Sequence, residues 1–161
     1  MLTEQQYTSL VKKYIDMVFR LAYQYTNHFA DAEDITQNAF LALLQARNDF
    51  EDEDHIRFWL IRVTVNECKK WHRSPWRRHV SYEDMSSNLV QISQEDRIVM
   101  DAVMRLPRKY RVALYLYYYE GYSTQEIADI LKIPKGTVCT NLSRGRELLR
   151  KQFLEEGDFD E

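Results

Sequence analysis

Residues 123–151 read STQEIADILKIPKGTVCTNLSRGRELLRK, and this stretch decides the fold of the second half of the chain. It opens on the capping-box pattern Ser-x-x-Glu, which predicts a short helix over 124–131. Residues 132–134 (Lys-Ile-Pro) then form a turn, and apolar residues return at helical spacing over 135–154. These are the dimensions of a helix-turn-helix motif, although a helical hairpin of a protein-binding domain would show the same pattern.

The long helix of this motif has an apolar face and a polar face. Val138, Leu142 and Gly145 share the apolar face, where the glycine is expected to let the helix pack closely against the preceding one. Arginine binds guanine through two hydrogen bonds, and threonine or serine binds bases or phosphates. The residues predicted to face outward near the N-terminal half are Thr140, Ser143 and Arg144. This polar face is therefore a candidate for contact with a DNA major groove.

The composition is that of a globular protein. Of the 161 residues 45% are apolar, and only 4 Gly and 3 Pro occur, which disfavours disorder and turn-rich β-sandwiches. The longest apolar run, Val112–Tyr119, is far shorter than the about 20 residues of a membrane span, so no membrane insertion is expected. Cys68 and Cys139 lack CxxC or HxxxH partners, so we expect no disulfide or zinc site and a reducing cytoplasmic environment.

Charge is segregated along the chain although the net charge is only −3. Residues 31–54 carry eight acidic side chains and one basic one. Residues 57–79 carry seven Lys or Arg and one Glu, and residues 132–151 carry six and one. Basic blocks suit anion-binding surfaces because counterion release depends on local charge, but either block alone would equally suit a solvated helix face.

Apolar periodicity predicts three helices in the first half of the chain. Thr3 and Gln6 form a capping-box pattern before the first helix, and Asp31 is predicted to cap the second. An acidic loop, 48–54, is predicted between the second and third helices. The predicted ranges are 7–25 for the first helix, 32–47 for the second, and from about 55 onward for the third.

The predicted second helix has an unusual surface. Ile35, Ala39 and Leu43 form the apolar face that is expected to meet the core. The nearly opposite face mixes polar and large apolar side chains. Its members are Asp34, Gln37, Asn38, Leu41 and Gln45, flanked by Phe40 and Leu44. A helix buried on two sides would explain this mixture, and so would a docking face for another protein.

The predicted third helix combines basic and aromatic side chains. Trp59, Trp71 and Trp76 alternate with Lys and Arg in this part of the sequence. Aromatic side chains beside cations suit stacking on unpaired bases as well as phosphate contact, although Trp59 is also expected in the core. The polar residues of this helix are Arg57, Arg62, Asn66, Lys69, Lys70 and Arg73.

A mostly polar stretch without periodicity, 76–93, is predicted to be a linker. It separates two small domains, 1–75 and 94–161, so the predicted fold class is all-α with the helix-turn-helix in the second domain. Further helices are predicted over 96–106, stopped by Pro107, and over 110–119.

No arrangement of residues points to catalysis. The chain has no GxGxxG, GxxxxGK[ST] or HExxH motif, and its four histidines are scattered. The acidic residues 51–54 lack both a paired base and the spacing and glycine of a calcium loop. The sequence therefore predicts a protein that is not an enzyme and uses no cofactor or metal.

The whole pattern resembles the extracytoplasmic-function group of bacterial sigma factors, the smallest members of the sigma-70 family. Three stretches carry the resemblance, and their order and spacing make it specific. They read DAEDITQNAFLALLQ at 31–45, FWLIRVTVNECKKWHR at 58–73, and LPRKYRVALYLYYYEGYSTQEIADILKIPKGTVCTNLSRGRELL at 106–149. The resemblance implies that the first domain grips RNA polymerase and opens the −10 promoter element, and that the second reads the −35 element.

The resemblance also implies which residues make these contacts. Phe50 begins the specificity loop, which runs to His55 and is acidic here where many relatives carry a glycine and a basic residue. Residues implied in docking on the β′ clamp helices are Asp34, Gln37, Asn38 and Leu41. Those implied in −10 binding are Phe50, Arg62, Asn66, Lys69, Lys70 and Arg73, where Asn66 helps hold a flipped base. Those expected in −35 binding are Cys139, Thr140, Ser143, Arg144 and Lys151, the last nearer a phosphate.

The implied partners are the β′ and β subunits of the bacterial polymerase core, promoter DNA and an anti-sigma factor. A rival hypothesis is a stand-alone helix-turn-helix regulator whose N-terminal domain senses a ligand or dimerises. A third is a pure interaction module, which would leave the two basic blocks unexplained. A sensor needs a pocket or a dimer seam in the first domain, whereas a sigma factor needs an exposed docking helix and a basic, aromatic one.

Overall fold

The computed structural model describes residues 1–47, 49–74 and 94–155. Its helices are α1 (Glu4–Thr26), α2 (Phe29–Gln45), α3 (Glu53–Arg73), α4 (Gln94–Met104), α5 (Arg108–Leu114), α6 (Thr124–Leu131) and α7 (Lys135–Glu155), with a π-helical turn over Tyr115–Tyr119. In this part of the chain all regular structure is helical, which confirms the predicted all-α class. The helices belong to two compact units, α1–α3 and α4–α7. The predicted linker, 76–93, lies outside the described residues, so the domain bounds stay predictions.

The core of the first unit lies where its three helices face one another. It contains Val18 and Leu21 of α1, Leu43 of α2, and Leu60 and Ile61 of α3, none of which is more than 1% exposed. Full burial of a side chain of this size stabilises the folded state by about 1.5–3 kcal/mol. These contacts hold the outer faces of the helices in place.

Local hydrogen bonds close both ends of α1. Thr3 Oγ1 accepts from Gln6 N at 3.1 Å, and Gln6 Oε1 accepts from Thr3 N at 2.9 Å, which confirms the predicted capping box. At the other end Asn27 adopts a left-handed conformation with φ 49°, which asparagine tolerates better than most residues. The chain therefore reverses direction at Asn27 and enters α2 almost at once.

The prediction that Asp31 caps α2 is wrong. The helix begins earlier, at Phe29, because the imidazole of His28 provides the cap: its Nδ1 accepts from Asp31 N at 3.3 Å. Asp31 is buried in the first turn, where its carboxylate lies 3.1 Å from His28 Nδ1. The helix also ends at Gln45, short of the predicted 47. Histidine is rarely considered a cap, whereas aspartate is a common one, so the sequence pattern favoured the wrong residue.

Helix α3 also begins earlier than predicted, at Glu53 instead of about residue 55. Asp52 is its N-cap, and Asp52 Oδ1 accepts from His55 N at 2.9 Å. Glu53 and Asp54 lie in the first turn, where negative charge stabilises the helix dipole. Three of the seven residues of the predicted acidic loop therefore form the helix cap and first turn. Asn48 lies outside the described residues.

In the second unit α4 begins and ends two residues before the predicted 96–106. Buried Arg111 ties the end of α4 to α5, because its Nη1 donates to the carbonyls of Leu106 at 3.0 Å and Met104 at 3.4 Å. The predicted helix 110–119 is divided: α5 ends at Leu114 and the chain continues as the π-helical turn. The hydrogen bond from Glu120 N to Tyr115 O, at 3.1 Å, is one of the wider i to i+5 bonds that define such a turn.

The helix-turn-helix has the predicted bounds in its first helix and turn. Ser123 and Glu126 make the predicted capping box before α6, with hydrogen bonds of 3.1 and 2.9 Å. Lys132 adopts the left-handed conformation with φ 57°, and Ile133 N donates to Ala128 O at 3.1 Å. The turn therefore closes α6 with a backbone hydrogen bond and lets α7 begin at Lys135.

Gly145 allows a close approach between helices, but not to the helix that we predicted. A Cβ atom at this position would lie 2.9 Å from Leu114 Cδ1 and 3.3 Å from Tyr110 Cβ. Both residues belong to α5, so the glycine brings α7 close to α5 instead of the preceding α6. Periodicity shows which face of α7 is apolar, whereas only the tertiary structure shows which helix meets it.

Candidate nucleic-acid interface and docking face

The mixed face predicted on the second helix lies at the surface of the first unit. All four predicted docking residues, Asp34, Gln37, Asn38 and Leu41, are exposed on α2. Leu41 is 50% and Leu44 49% exposed, so the interpretation of α2 as a helix buried on two sides within its own unit is wrong for these leucines. Phe40, predicted to flank this face, is instead buried and belongs to the core.

A shallow, mainly apolar groove between α1 and α2 adjoins this face. It is lined by Tyr7, Val11, Ile15, Thr36, Gln37, Phe40 and Leu41. Tyr7 Oη donates to the Phe40 carbonyl at 2.8 Å, and burial raises the pKa of Tyr7. Ile15 is 40% exposed, although its spacing alone places it with the buried residues of α1. The exposed apolar surface therefore extends from α2 onto α1, which sequence periodicity did not show.

Four predicted contact residues form a single stripe along α3. Arg62, Asn66, Lys69 and Arg73 are spaced i, i+4, i+7 and i+11, which places them on one side of the helix. Asn66 and Arg73 are exposed, and Arg62 and Lys69 are half-buried. The opposite side carries buried residues such as Cys68. The stripe is about 16 Å long, from the 1.5 Å rise per residue, and it has the polarity and length of a surface for a short run of nucleotides.

Lys70 lies beside this stripe and differs from its other members. It is exposed, and its Nζ lies 3.0 Å from Glu67 Oε2. An exposed ion pair of this kind is worth little in free energy, so it leaves the ammonium available to a stronger anion. Lys70 therefore adds one more positive charge beside the stripe.

An aromatic cluster occupies the N-terminal end of the stripe. The half-buried ring of Phe50 packs edge-on against Trp59, with 5.6 Å between ring centroids, and against His55 at 5.3 Å. Trp59 lies three residues before Arg62 and seven before Asn66, so it continues the same side of α3. It is half-buried, and thus serves both the core and the surface. Trp71 is also half-buried, and Trp76 lies outside the described residues.

The acidic residues before and at the start of α3 have structural partners. Glu53 pairs with Lys13 of α1, and hydrogen bonds from Lys13 and Tyr14 lower the pKa of Glu53. The same hydrogen bond to Glu53 raises the pKa of Lys13. Together with the Asp52 cap, this accounts for two of the acidic side chains of the segment, so its composition does not by itself describe the charge that a DNA strand would meet.

All five residues predicted for −35 binding are exposed on α7: Cys139, Thr140, Ser143, Arg144 and Lys151. Thr140, Arg144 and Lys151 lie opposite the buried side of α7, which contains Val138 and Leu142, and Cys139 and Ser143 lie at the edge of the exposed side. Glu147 is exposed on the same side. The sequence prediction passed over Arg146, whose Nη1 donates to Tyr118 Oη at 2.9 Å. The two residues are 28 positions apart, so no local pattern in the sequence pointed to this pair.

The described residues include no group of His, Cys, Asp and Glu side chains that could hold a metal ion. In the same part of the chain no helix is long and apolar enough to cross a membrane.

Comparison with known proteins assigns both units. Residues 10–78 match the family model of sigma-70 region 2, and residues 96–149 match that of sigma-70 region 4. The chain is 31% identical to the ECF RNA polymerase sigma factor SigW of Bacillus subtilis (strain 168), over 93% of this chain and 90% of that protein. It is 27% identical to the ECF RNA polymerase sigma-E factor of Escherichia coli (strain K12), over 91% of this chain and 85% of that protein.

Solved structures show the same fold. The sigma factor RpoE of Bartonella quintana, in a co-crystal structure with the anti-sigma factor NepR, matches with a TM-score of 0.66 at 19% identity, covering 89% of this chain and 94% of that one. CnrH, in complex with the cytosolic domain of CnrY, matches with a TM-score of 0.65 at 21% identity, covering 94% and 89%. The two family models and these relatives show that the chain belongs to the extracytoplasmic-function group of the sigma-70 family. It is an alternative sigma factor, which is a promoter-specificity subunit of RNA polymerase and not an enzyme.

Proposed function

We propose that the exposed faces of α2, α3 and α7 each bind a different partner of this sigma factor. The α2 face binds the polymerase core through β′, the α3 stripe holds the melted −10 strand, and the α7 face reads the −35 element. The observation that carries the proposal is the stripe of Arg62, Asn66, Lys69 and Arg73, which lies on one side of α3 beside an aromatic cluster. That surface suits unpaired DNA, and neither a sensor domain nor a simple interaction module needs it.

The α2 face has the chemistry of a protein contact. Leu41 and Leu44 are each about half exposed and lie among Asp34, Gln37 and Asn38. Exposed apolar side chains gain free energy when a partner covers them, and polar neighbours that form hydrogen bonds fix the orientation of that partner. The exposed Ile15 on α1 extends the apolar area. This combination supports a helix of the polymerase as the partner.

The α3 stripe has the chemistry of a single-strand contact. Arginine and lysine neutralise strand phosphates, and an aromatic ring stacks on a base of any sequence. Asn66 lies in the middle of the stripe and is exposed, so its amide can offer both donors and an acceptor to the edge of an unstacked base. This supports the role in base capture that family resemblance implies.

The α7 face suits a duplex. Thr140 and Ser143 are short side chains that let a helix approach the base edges, and Arg144 can bind guanine through two hydrogen bonds. Lys151 lies seven residues further along, about 10 Å along the helix axis, where a phosphate is the expected partner. Cys139 is a free, exposed thiol on the same face, and the only role that we propose for it is contact with DNA.

We further propose that the protein works in the cytoplasm, where it meets RNA polymerase, and that an anti-sigma factor restrains it. Two solved structures that share its fold are complexes with a second protein, which in one case is named as an anti-sigma factor. Family membership favours this function over a stand-alone helix-turn-helix regulator.

Transcription in vitro tests the proposal. Bacterial core polymerase with this protein, on genomic fragments of the source organism, should give promoter-specific transcripts that core polymerase alone does not give. Absence of such transcripts across the genome would overturn the proposal.

Asn66→Ala tests the role of the α3 stripe in particular. It should reduce open-complex formation, measured by permanganate footprinting, more than initial promoter binding, because a flipped base meets its site only after the strands separate. Gln5→Ala, the loss of an exposed amide on α1 away from the stripe, is the matched control. Normal melting by the Asn66→Ala protein would remove the base-capture role from this position.

A further inference from the structure

An exposed aromatic patch lies beside the proposed −35 face of α7. Tyr117 is 38% exposed, and Tyr118 and Tyr119 are each 60% exposed. Tyr118 is joined to α7 by the hydrogen bond that its Oη accepts from Arg146 Nη1 at 2.9 Å. We call these four residues, Tyr117, Tyr118, Tyr119 and Arg146, the tyrosine–arginine patch.

The three tyrosines of the patch belong to the π-helical turn, which determines where their side chains lie. Buried Tyr115 anchors the turn: its ring stacks on Tyr119 with 5.2 Å between centroids, and its Oη donates to Glu120 Oε2 at 2.5 Å. Tyr118 packs edge-on against Tyr117 at 4.9 Å. Neighbouring rings therefore hold these exposed tyrosines, so their hydroxyl groups are presented from a preordered surface and lose little rotamer entropy on binding.

The patch is continuous with the proposed −35 face. Arg146 follows Ser143 by three residues and Cys139 by seven, so the three lie along one edge of the exposed side of α7. The close approach of α5 to α7 at Gly145 places the turn after α5 beside this edge. The hydrogen bond between Tyr118 and Arg146 joins the two elements there.

The charge around the patch selects an anionic partner. Residues 132–151 carry six Lys or Arg and only one Glu, and Arg146 belongs to this block. Arginine side chains and tyrosine hydroxyl groups are both common donors to the phosphates that flank a recognition helix. A tyrosine hydroxyl that accepts from arginine keeps its own proton, which it can donate to a phosphate oxygen.

We propose that the tyrosine–arginine patch binds the DNA backbone beside the −35 element. The proposal rests on the proposed role of α7 and adds a contact that carries no base preference. Arg146 neutralises a phosphate, Tyr118 holds its guanidinium in place while the Tyr118 hydroxyl donates to the same backbone, and Tyr117 and Tyr119 pack against the sugars. The patch thus fixes the register in which Arg144 meets its base.

The test measures binding of the reconstituted holoenzyme to a promoter fragment recovered in the transcription experiment above. Tyr118→Phe removes one hydroxyl and keeps the ring, and Arg146→Gln removes the charge. We expect each to weaken binding by about three- to tenfold, equally for all −35 sequences. Arg146→Gln should also reduce the slope of log K against log salt by about 0.9. Lys109→Ala, which removes an exposed cation near the start of α5, is the charge-matched control and should do neither.

Modified DNA locates the contact. Neutral methylphosphonates, placed one at a time beside the −35 element, should include one position that weakens the wild-type protein but does not weaken Arg146→Gln further. Methylphosphonate effects identical for the two proteins at every position would overturn the proposal. So would a Tyr118→Phe protein that binds as the wild type does.

A protein partner is the competing occupant of the patch. Loss of affinity for core polymerase in Tyr117→Ala or Tyr118→Phe, with unchanged methylphosphonate effects, would assign the patch to the polymerase and overturn the proposal. Arg144→Ala shows whether the patch proposal fails alone or whether the proposed −35 role of α7 fails with it. If Arg144→Ala alters −35 preference while the patch variants bind normally, the α7 assignment stands and only the patch is wrong.

Discussion

Helices α2 and α7 have equivalent inner faces and different outer faces. Leu43 of α2 is 1% exposed and Leu142 of α7 is 3% exposed, so each helix is fixed in its unit by apolar burial. On the outer side α2 presents two half-exposed leucines among polar residues. The outer side of α7 presents Thr140, Ser143 and Arg144 in its first half.

The partners that we propose for the two helices account for this difference. A protein partner supplies apolar surface, so exposed leucines gain free energy when covered. A DNA groove supplies hydrogen-bonding edges and phosphates, so short polar side chains and arginine are more useful there. We therefore propose different classes of partner for these two helices, although they are similar in length and lie in one chain.

The largest expected effects test the equivalence of the inner faces. Leu43→Ala and Leu142→Ala should each destabilise their own unit by about 2–5 kcal/mol, because each removes a buried side chain and leaves a cavity. Hydrogen exchange of the full chain, read separately for α1–α3 and α4–α7, measures both. Leu44→Ala, a change at a half-exposed position of α2, is the control and should cost far less. An equal cost for Leu44→Ala would show that the outer face of α2 is part of the core.

The next prediction separates two kinds of contact on the outer face of α7. Arg144→Ala should cost about 1–3 kcal/mol of −35 discrimination and flatten the preference at one or two base pairs. Lys151→Ala should weaken all sequences about equally and reduce the salt slope by about one. Holoenzyme binding to single-base −35 variants at several salt concentrations measures both. A full wild-type preference profile for Arg144→Ala would mean that another side of α7 faces the DNA.

The outer face of α2 is tested by its affinity for core polymerase. Replacing Asp34, Gln37 and Leu41 together by Ala should weaken that affinity about tenfold or more, since central contacts of an interface carry most of its binding free energy. The helix content should be unchanged in circular dichroism because all three side chains are exposed. Glu4→Ala, Gln5→Ala and Thr8→Ala together, on the exposed side of α1, form the control. Unchanged core affinity with normal dichroism would contradict the assignment of this face.

The smallest expected effect concerns pH and the ion pair that joins α1 to α3. Hydrogen bonds from Lys13 and Tyr14 lower the pKa of Glu53 below 4.5, so its stabilising contribution is complete above that value. The contribution is lost as the pH falls through the lowered pKa. The difference in Tm between pH 7 and pH 3 should therefore be slightly smaller for Glu53→Gln than for the wild type. Glu51→Gln is the control, and an unchanged difference for Glu53→Gln would show that the pair does not contribute.

Local signals in the sequence predicted the helices well. The capping boxes at Thr3 and Ser123 and the turn at 132–134 were confirmed because each depends on residues at most three apart. The start of α2 was wrong because a histidine nitrogen, an uncommon cap, accepts the hydrogen bond. The end of the tyrosine-rich helix was missed because a π-helical turn depends on the packing of Tyr115 and not on a periodic pattern.

For the candidate contact residues, too, local patterns were predicted well and contacts between distant residues were not. Spacing placed Asp34, Asn66 and Arg144 on exposed sides of their helices, and all three are exposed. The same spacing placed Phe40 at the flank of the mixed face and left its burial open. It is buried, because a flank position faces whichever neighbouring helix comes near. Arg146 and Tyr118 are 28 residues apart, so no local pattern could join them.

The sequence by itself determined the class of fold, the order of the helices, and the separation of acidic and basic segments, since these depend on composition and on periodicity within one helix. It also carried the motifs that make the family recognisable. Only the tertiary structure decided which helix meets Gly145, that Ile15 extends an exposed apolar groove, and that a tyrosine of the π-helical turn meets Arg146. These are contacts between elements distant in sequence, and their geometry depends on the packing of whole helices against one another.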